Sequence, residues 1–260
     1  EAGELLERVF RDEGIEIYNH RAIRSVASHG AQTVVRTDHG ETLVGERLLV
    51  AAGRSFDHLP ALRLENAGVR YSEGGIEVDR TLRTSRRHIY AAGDCNGSYL
   101  FSHAAMHQGM IALINAMLPR PFARNYARYV VPWAVFTDPP VAHVGRLERE
   151  LRASGVEYET IEEHYHDYGA AIAEGIAVGS VRVYASSTGR IFGVRIIGEG
   201  APEMINEWGL AVQEGLRMHR IMFLQHAFPS MSFLSKRVAE GWMMNRMRSP
   251  WLRRLVRAIF

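Results

Sequence analysis

The stretch that most restricts what this chain can fold into is HIYAAGDCNGSYLFSHAAMHQGMIALINAML, residues 88–118. It opens on a short apolar run that closes in Ala91, Ala92, Gly93 and then Asp94, the pattern of a buried strand carrying a carboxylate at its end. Open α/β sheets bind ligands at the carboxyl ends of their strands. From Ser102 to Leu118 the apolar residues recur at helical spacing. The first N–H groups of a helix have no intrahelical partner and lie at its positive end, so this helix start suits an electron-rich group. A carboxylate at Asp94 accepts hydrogen bonds from sugar or polyol hydroxyls. On the residues alone, a plain strand–helix unit with Asp94 capping its turn explains the same pattern.

The rest of the chain fits around that unit. Residues 1–13 read as a helix with Leu5, Leu6, Val9 and Phe10 on one face, stopped by Gly14. Strands are predicted at Ile15–Tyr18, Ala22–Ser28, Thr33–Thr37 and Thr42–Ala52, the last ending in the apolar run of RLLVAAG with Gly53 as its stop. After the linker-like PRPFARNYARYVVP, the segment VVPWAVFTDPPVAHVG reads as strand, turn, strand. A short charged helix is predicted over 146–154. Strands follow at Tyr158–His166, Ser180–Ala185 and Arg190–Ile197, the last two joined by a turn at SSTG into an antiparallel meander. Pro202 opens a helix to about Glu214, and another runs from Phe233 to Arg246. Opening on Glu1 inside a helix, the chain is expected to be preceded by a further N-terminal portion.

Composition narrows the chemistry. The net charge of +2 gives no reason to expect nucleic acid, and no apolar run reaches the roughly 20 residues of a membrane span. Lys236 is the only lysine and Cys95 the only cysteine. Schiff-base chemistry, an intrachain disulfide and a cysteine zinc site are thereby excluded from nearly the whole chain. Twelve histidines leave room for a His/carboxylate metal site, but no HExxH-like pair occurs. No secretory signal is seen, and the expected compartment is the cytoplasm.

Three segments together carry a family resemblance: TLRTSRRHIYAAGD, HAAMHQGMIALINAM and VPWAVFTDPPVAHVG. They are similar, in order and spacing, to the second half of the pyridine nucleotide-disulfide oxidoreductases, which include dihydrolipoamide dehydrogenase, glutathione reductase and mercuric reductase. The later GVRIIGEGAPEMINEWGLAVQEG resembles part of the same family's dimerisation domain. The resemblance implies an α/β plus α+β fold: the tail of Rossmann-like NAD(P) and FAD domains, then a dimerisation domain of antiparallel sheet and helices. The implied bounds are 1–57 for the NAD(P)-binding part, 58–125 for the FAD-binding part and 126–260 for the dimerisation domain. It implies an FAD-dependent enzyme taking hydride from NAD(P)H to a small-molecule electron acceptor, dimerising through 126–260. Were the chain complete as given, the expectation would instead be a dimerisation module without turnover.

Carried over position by position, the resemblance gives Asp94, preceded by Gly93, to the FAD ribitol. It gives Leu100, Phe101, Ser102 and His103 to the flavin, and Gly53 to the neighbourhood of the nicotinamide cofactor. No catalytic residue and no metal ligand is assigned. Cys95 is expected to be a small buried residue rather than a nucleophile. The run GEGAPE, Gly198 to Glu203, looks like a dinucleotide loop but lacks GxGxxG spacing.

The segment QHAFPSMSFLSK, Gln225 to Lys236, resembles the stretch that in dihydrolipoamide dehydrogenase-like members holds a thiol-activating His-Pro and a glutamate. Aligned on the proline, the histidine's place falls to Phe228 and the glutamate's to Phe233; Ser230 stands where mercuric reductases have a tyrosine. His226 precedes Phe228 by two, so an extended segment would turn both to one side, about 6–7 Å apart. A structural or interface role is expected for His226. The tail SPWLRRLVRAIF sets Trp251, Leu252, Leu255, Val256, Ile259 and Phe260 against Arg253, Arg254 and Arg257. That amphipathic pattern is expected to dock on the dimer, with membrane-surface contact as the alternative.

Overall fold

His29 and Gln32 face each other across a two-residue loop, with Gly30 supplying the positive φ at its first position. The hairpin joins β1 (Ile23–His29) to β2 (Gln32–Thr37), and β3 (Thr42–Gly45) pairs antiparallel with β2. α1 (Ala2–Asp12) precedes this meander. The structure, a computed structural model, describes residues 2–176 and 178–248. The chain divides into two units, 1–58 and 59–260, each treated by itself below.

In the first unit the strands pair with one irregularity, between Ile23 and Ser25, and burial is slight. Val26 stands opposite Val35 and Val34 opposite Val44, yet every residue of β1 is exposed. Two expected strands are not formed. Residues 15–18 lie outside any strand, and the long strand over 42–52 stops at Gly45. Leu49 and Val50 are 90% and 74% exposed. A strand exists only through hydrogen bonds to a neighbour, and no strand among the described residues pairs with 46–53.

The second unit begins with short turns and a small hairpin of β4 (Tyr71–Ser72) and β5 (Gly75–Ile76). HIYAAGD does not form the expected strand: Tyr90 makes one isolated bridge to Arg83, and the chain then turns into a 3-10 segment, Asp94–Asn96. α2 (Ser102–Met117) follows as the apolar spacing predicted, and packs Ile111 and Ala112 against Leu82.

Five antiparallel strands build the remaining sheet: β6 (Trp133–Val135), β7 (Val141–Gly145), β8 (Glu159–His164), β9 (Ser180–Ala185) and β10 (Ile191–Ile197), in the order β6-β7-β10-β9-β8. The helices are α3 (Glu148–Ala153), α4 (Gly169–Ala173), α5 (Ala201–Gln213), α6 (Met218–Phe223) and α7 (Phe233–Met247). α5 packs on β7 and β10, α7 on β8 and β9. Val144, Val183, Val194 and Ile196 are buried in one core with Trp208, Leu234 and Val238. Trp208 donates its indole N–H to Ser235 Oγ at 3.0 Å, which satisfies the one polar atom the ring brings inside. A different row crosses the sheet in register: Trp133, His143, Arg195, Arg182 and Glu162. α4 and α6 were not expected from the sequence, being about one turn each. The tail at 249–260 lies outside the described residues.

Candidate functional site

Gly93 sits at φ 84° and ψ −157°, a conformation open essentially to glycine alone. A Cβ there would lie 2.8 Å from the Ala105 Cβ, so the absence of a side chain lets the 91–97 turn rest against α2. The turn is pinned by one residue that the sequence reading missed. Gln108 Oε1 accepts from the Gly93 N–H at 2.8 Å and from Asn96 Nδ2 at 2.7 Å. Asn96 in turn donates to the Ala91 carbonyl and accepts the Ser98 N–H. The only signal for Gln108 in the sequence is a polar residue on the face that α2 buries.

This lattice places Asp94 half-buried at the head of the 3-10 turn, a few residues before α2 starts. Phe101 occupies the N-cap position with extended geometry and offers no side-chain cap. The first N–H groups of α2, at Ser102 and His103, therefore point along the helix axis without a capping oxygen. Leu100, Phe101, Ser102 and His103 are all at least partly exposed. The turn carries the carboxylate, and eight residues on, the helix start offers N–H groups beside the apolar Leu100 and Phe101. The set can accept hydrogen bonds from hydroxyls and donate them to an electron-rich edge. Of the predicted site residues, these six fall together in the second unit; Gly53 belongs to the first, at φ 100° with nothing within 4 Å of where a Cβ would be.

Rings continue the site into the sheet. Phe101 stacks on His103 at 5.5 Å and lies nearly parallel to Trp133 at 6.5 Å; Trp133 meets His143 at 5.5 Å. His103 donates Nε2–H to the Pro132 carbonyl at 2.7 Å, tying α2 to the strand that carries Trp133. The cleft between them, about 430 Å³, is lined by Phe101, Ser102, His103, Trp133, Phe136 and Ile205 among others. His143 is 2% exposed; burial holds its imidazole pKa below the usual value, and Nε2–H is satisfied by the Gly145 carbonyl.

Four further residues resolve clearly. Burial pushes the Cys95 thiol pKa up, and its Sγ–H points at the Ala92 carbonyl, the environment of an unreactive thiol. In GEGAPE, a Cβ on Gly198 would strike the buried Tyr165 ring at 2.7 Å, and Tyr165 donates its hydroxyl to the Glu199 carbonyl, so the glycine serves core packing. His226 and Phe228 do not face one way. The His226 side chain is 4% exposed and donates Nε2–H to Glu207 on α5 at 2.9 Å, while Phe228 is 72% exposed, edge-on to Phe233. The segment is turned rather than extended: residues 228–230 bend, and Ser230 Oγ donates to the Ala227 carbonyl. Among the described residues no cluster of ligands suited to a metal occurs, and no helix is long and apolar enough to cross a membrane.

Comparison with known proteins bears on the chain as a whole. The family model described as pyridine nucleotide-disulphide oxidoreductase matches residues 1–109, and the one for that family's dimerisation domain matches 131–237. A mercuric reductase from Acidithiobacillus ferrooxidans is 34% identical over 84% of this chain and 40% of its own length. A dihydrolipoyl dehydrogenase from Chlamydia pneumoniae is 31% identical over 89% of this chain and 50% of its own. The chain therefore spans about half the length of such relatives or less. Among solved structures, LpdA from Mycobacterium tuberculosis superposes with a TM-score of 0.83 at 28% identity, covering 92% of this chain and 52% of that one. The HOCl-induced flavoprotein disulfide reductase RclA from Escherichia coli gives 0.82 at 25%, covering 93% and 54%. Two family models in the family's order, with relatives and structures of the same kind, show that the chain belongs to the pyridine nucleotide-disulphide oxidoreductases.

Proposed function

We propose that this chain is the flavin-holding and dimerising half of an oxidoreductase that takes hydride from NAD(P)H through FAD to a small-molecule acceptor. The observation that carries the reading is the Gly93–Asp94 turn, locked by Gln108 eight residues before the uncapped start of α2. In this reading Asp94 binds the ribitol hydroxyls, the Ser102 and His103 N–H groups face the electron-rich edge of the flavin, and Leu100 and Phe101 exclude water. Gly53 closes the part that meets the nicotinamide cofactor. When bound, FAD supplies the two-electron chemistry; these residues hold and orient it. The division into NAD(P), FAD and dimerisation parts at 57/58 and 125/126 belongs to the same proposal, as does a cytoplasmic site of action. The second copy is placed on the 126–260 part, where Phe136, Phe223 and Phe228 are exposed.

The acceptor is proposed to be something other than a disulfide handled by this segment. The His226 side chain is only 4% exposed, Phe228 has no proton to transfer, and burial pushes the Cys95 thiol pKa up. The protein extended to the length of its relatives should purify yellow, with FAD bound. Asp94→Ala should weaken flavin retention by about tenfold or more. A colourless full-length protein would refute the reading. The alternative, a dimerisation module without turnover, predicts that the 260-residue chain elutes as a colourless dimer that takes up no FAD.

A further inference from the structure

We infer that the cavity beside α2 is a binding site for a neutral planar ring carrying a carbonyl group. The cavity measures about 220 Å³ and is separate from the cleft at the helix start, although His103 and Pro132 border both. Ala104 and His107 form its helical wall; Tyr126 and Tyr129 close it from the following segment and Tyr99 stands at its edge. An apolar cavity of about 150 Å³ is enough to hold benzene, so this one has room for a single substituted ring. His107 and Tyr129 already meet edge-to-face at 4.7 Å, and a ring inserted among them meets aromatic edges and faces rather than aliphatic surface.

Charge and hydrogen bonding narrow the occupant. No Asp, Glu, Lys or Arg lines the cavity, so a carboxylate or ammonium would lose its water and find no permanently charged partner. Most polar groups at the wall are already engaged. Gln213 bonds the Val130 N–H and the Arg128 carbonyl, Tyr126 bonds Ser98, Tyr129 accepts from Arg124, and His103 donates to Pro132. Among the described residues the Tyr99 hydroxyl and the His107 imidazole make no hydrogen bond. Gln108, which also lines the cavity and is 3% exposed, leaves Nε2 buried without a partner. All three can donate, so a ligand that fits brings an acceptor and no charge. The inference rests on the cavity and is independent of the flavin reading.

Three probes of nearly one size separate the determinants: benzamide (neutral, planar), benzoate (charged) and cyclohexanecarboxamide (neutral, not planar). Ligand-detected NMR titrations on the 260-residue chain should rank benzamide tighter than either of the others by about fivefold or more. Ala104→Leu, which fills the cavity from the helix side, should weaken benzamide by about tenfold. Tyr99→Phe removes one hydroxyl at an exposed edge and should weaken it about threefold, and it carries the test if the leucine variant fails to fold. Equal affinities for the three probes would overturn the inference. So would no benzamide binding below about 10 mM, or binding unchanged in the folded variants.

Discussion

Strand β1 reads IRSVASH and strand β9 reads SVRVYA, and each pairs antiparallel with its neighbour through most of its length. Every residue of β1 is exposed, whereas Val181, Val183 and Ala185 of β9 are fully buried. Hydrogen-bond ladders of the same kind thus end in opposite surroundings, and the difference lies in what rests on the sheet. α7 packs on β9, and Trp208 of α5 joins the same core; within the first unit the β1–β3 meander has only Thr37 buried. Pairing fixes register, but stabilisation comes chiefly from the apolar surface that a covering element removes from water.

The sharpest way to break that comparison is to cut a side chain from each sheet. Trp208→Ala removes a fully buried ring and orphans the Ser235 hydroxyl, and should cost about 4 kcal/mol in the second unit. Val26→Ala, on exposed β1, should cost less than about 0.5 kcal/mol. Urea titrations followed by far-UV circular dichroism should resolve these as shifts of separate transitions. Similar costs at the two positions would mean that pairing, not coverage, carries the stability.

A glycine pair tests the same contrast on the backbone. Gly93 and Gly53 both have positive φ, but a Cβ at Gly93 meets Ala105 while one at Gly53 meets nothing. Gly93→Ala should destabilise the second unit by about 2 kcal/mol, adding a steric clash to backbone strain. Gly53→Ala should cost no more than about 1 kcal/mol. Thermal melts of both variants, with flavin retention measured in the full-length protein, would separate a locked turn from a permissive one.

The covered sheet should also respond to acid through His143. Burial holds its folded pKa below that of the unfolded chain, so the unfolded state binds the proton first as pH falls below about 6.5. Stability should then decline between that point and the lower folded pKa, by at most about 1.4 kcal/mol per pH unit. The nearby Arg195 pushes the same way and Glu150 opposes it. His143→Gln should flatten the slope; an unchanged slope between pH 7 and 5 would assign it elsewhere.

The same contrast explains what could be read from the sequence. Ser180–Ala185 was predicted to the residue and α2 to within one, because alternation and helical spacing are local and their partners lie close in the chain. RLLVAAG and HIYAAGD read as strands and form none, since an apolar run reports that a segment belongs inside but not which neighbour will pair with it. That Gly93 and Asp94 stand shortly before a helix start was legible, through small residues followed by helical spacing. Gln108 was not: its role depends on a turn twelve to fifteen positions away. The opposite facing of His226 and Phe228 was hidden too, because a two-residue alternation holds only while the backbone stays extended.

The smallest expected effect lies in the open sheet, at its one buried residue. Thr37 Oγ1 donates to Glu41 Oε2, and Arg21 Nε donates to Glu41 Oε1 at 2.7 Å. The Thr37 hydroxyl first, and then Arg21, draw the Glu41 carboxyl pKa down to about 2. Because the folded value lies below the unfolded one near 4.5, the contribution is present above that pH and is lost as pH falls through about 2. The carboxyl is open to solvent and the effect on overall stability is small, so the readout is the titration itself. Carbon-13 NMR of the Glu41 carboxyl should give an inflection well below that of the other glutamates of the first unit. Thr37→Val should move it back toward the ordinary range more than Arg21→Gln does. Should Arg21→Gln move it further, the β2–β3 turn would be held by charge rather than by the one buried hydroxyl the open sheet retains.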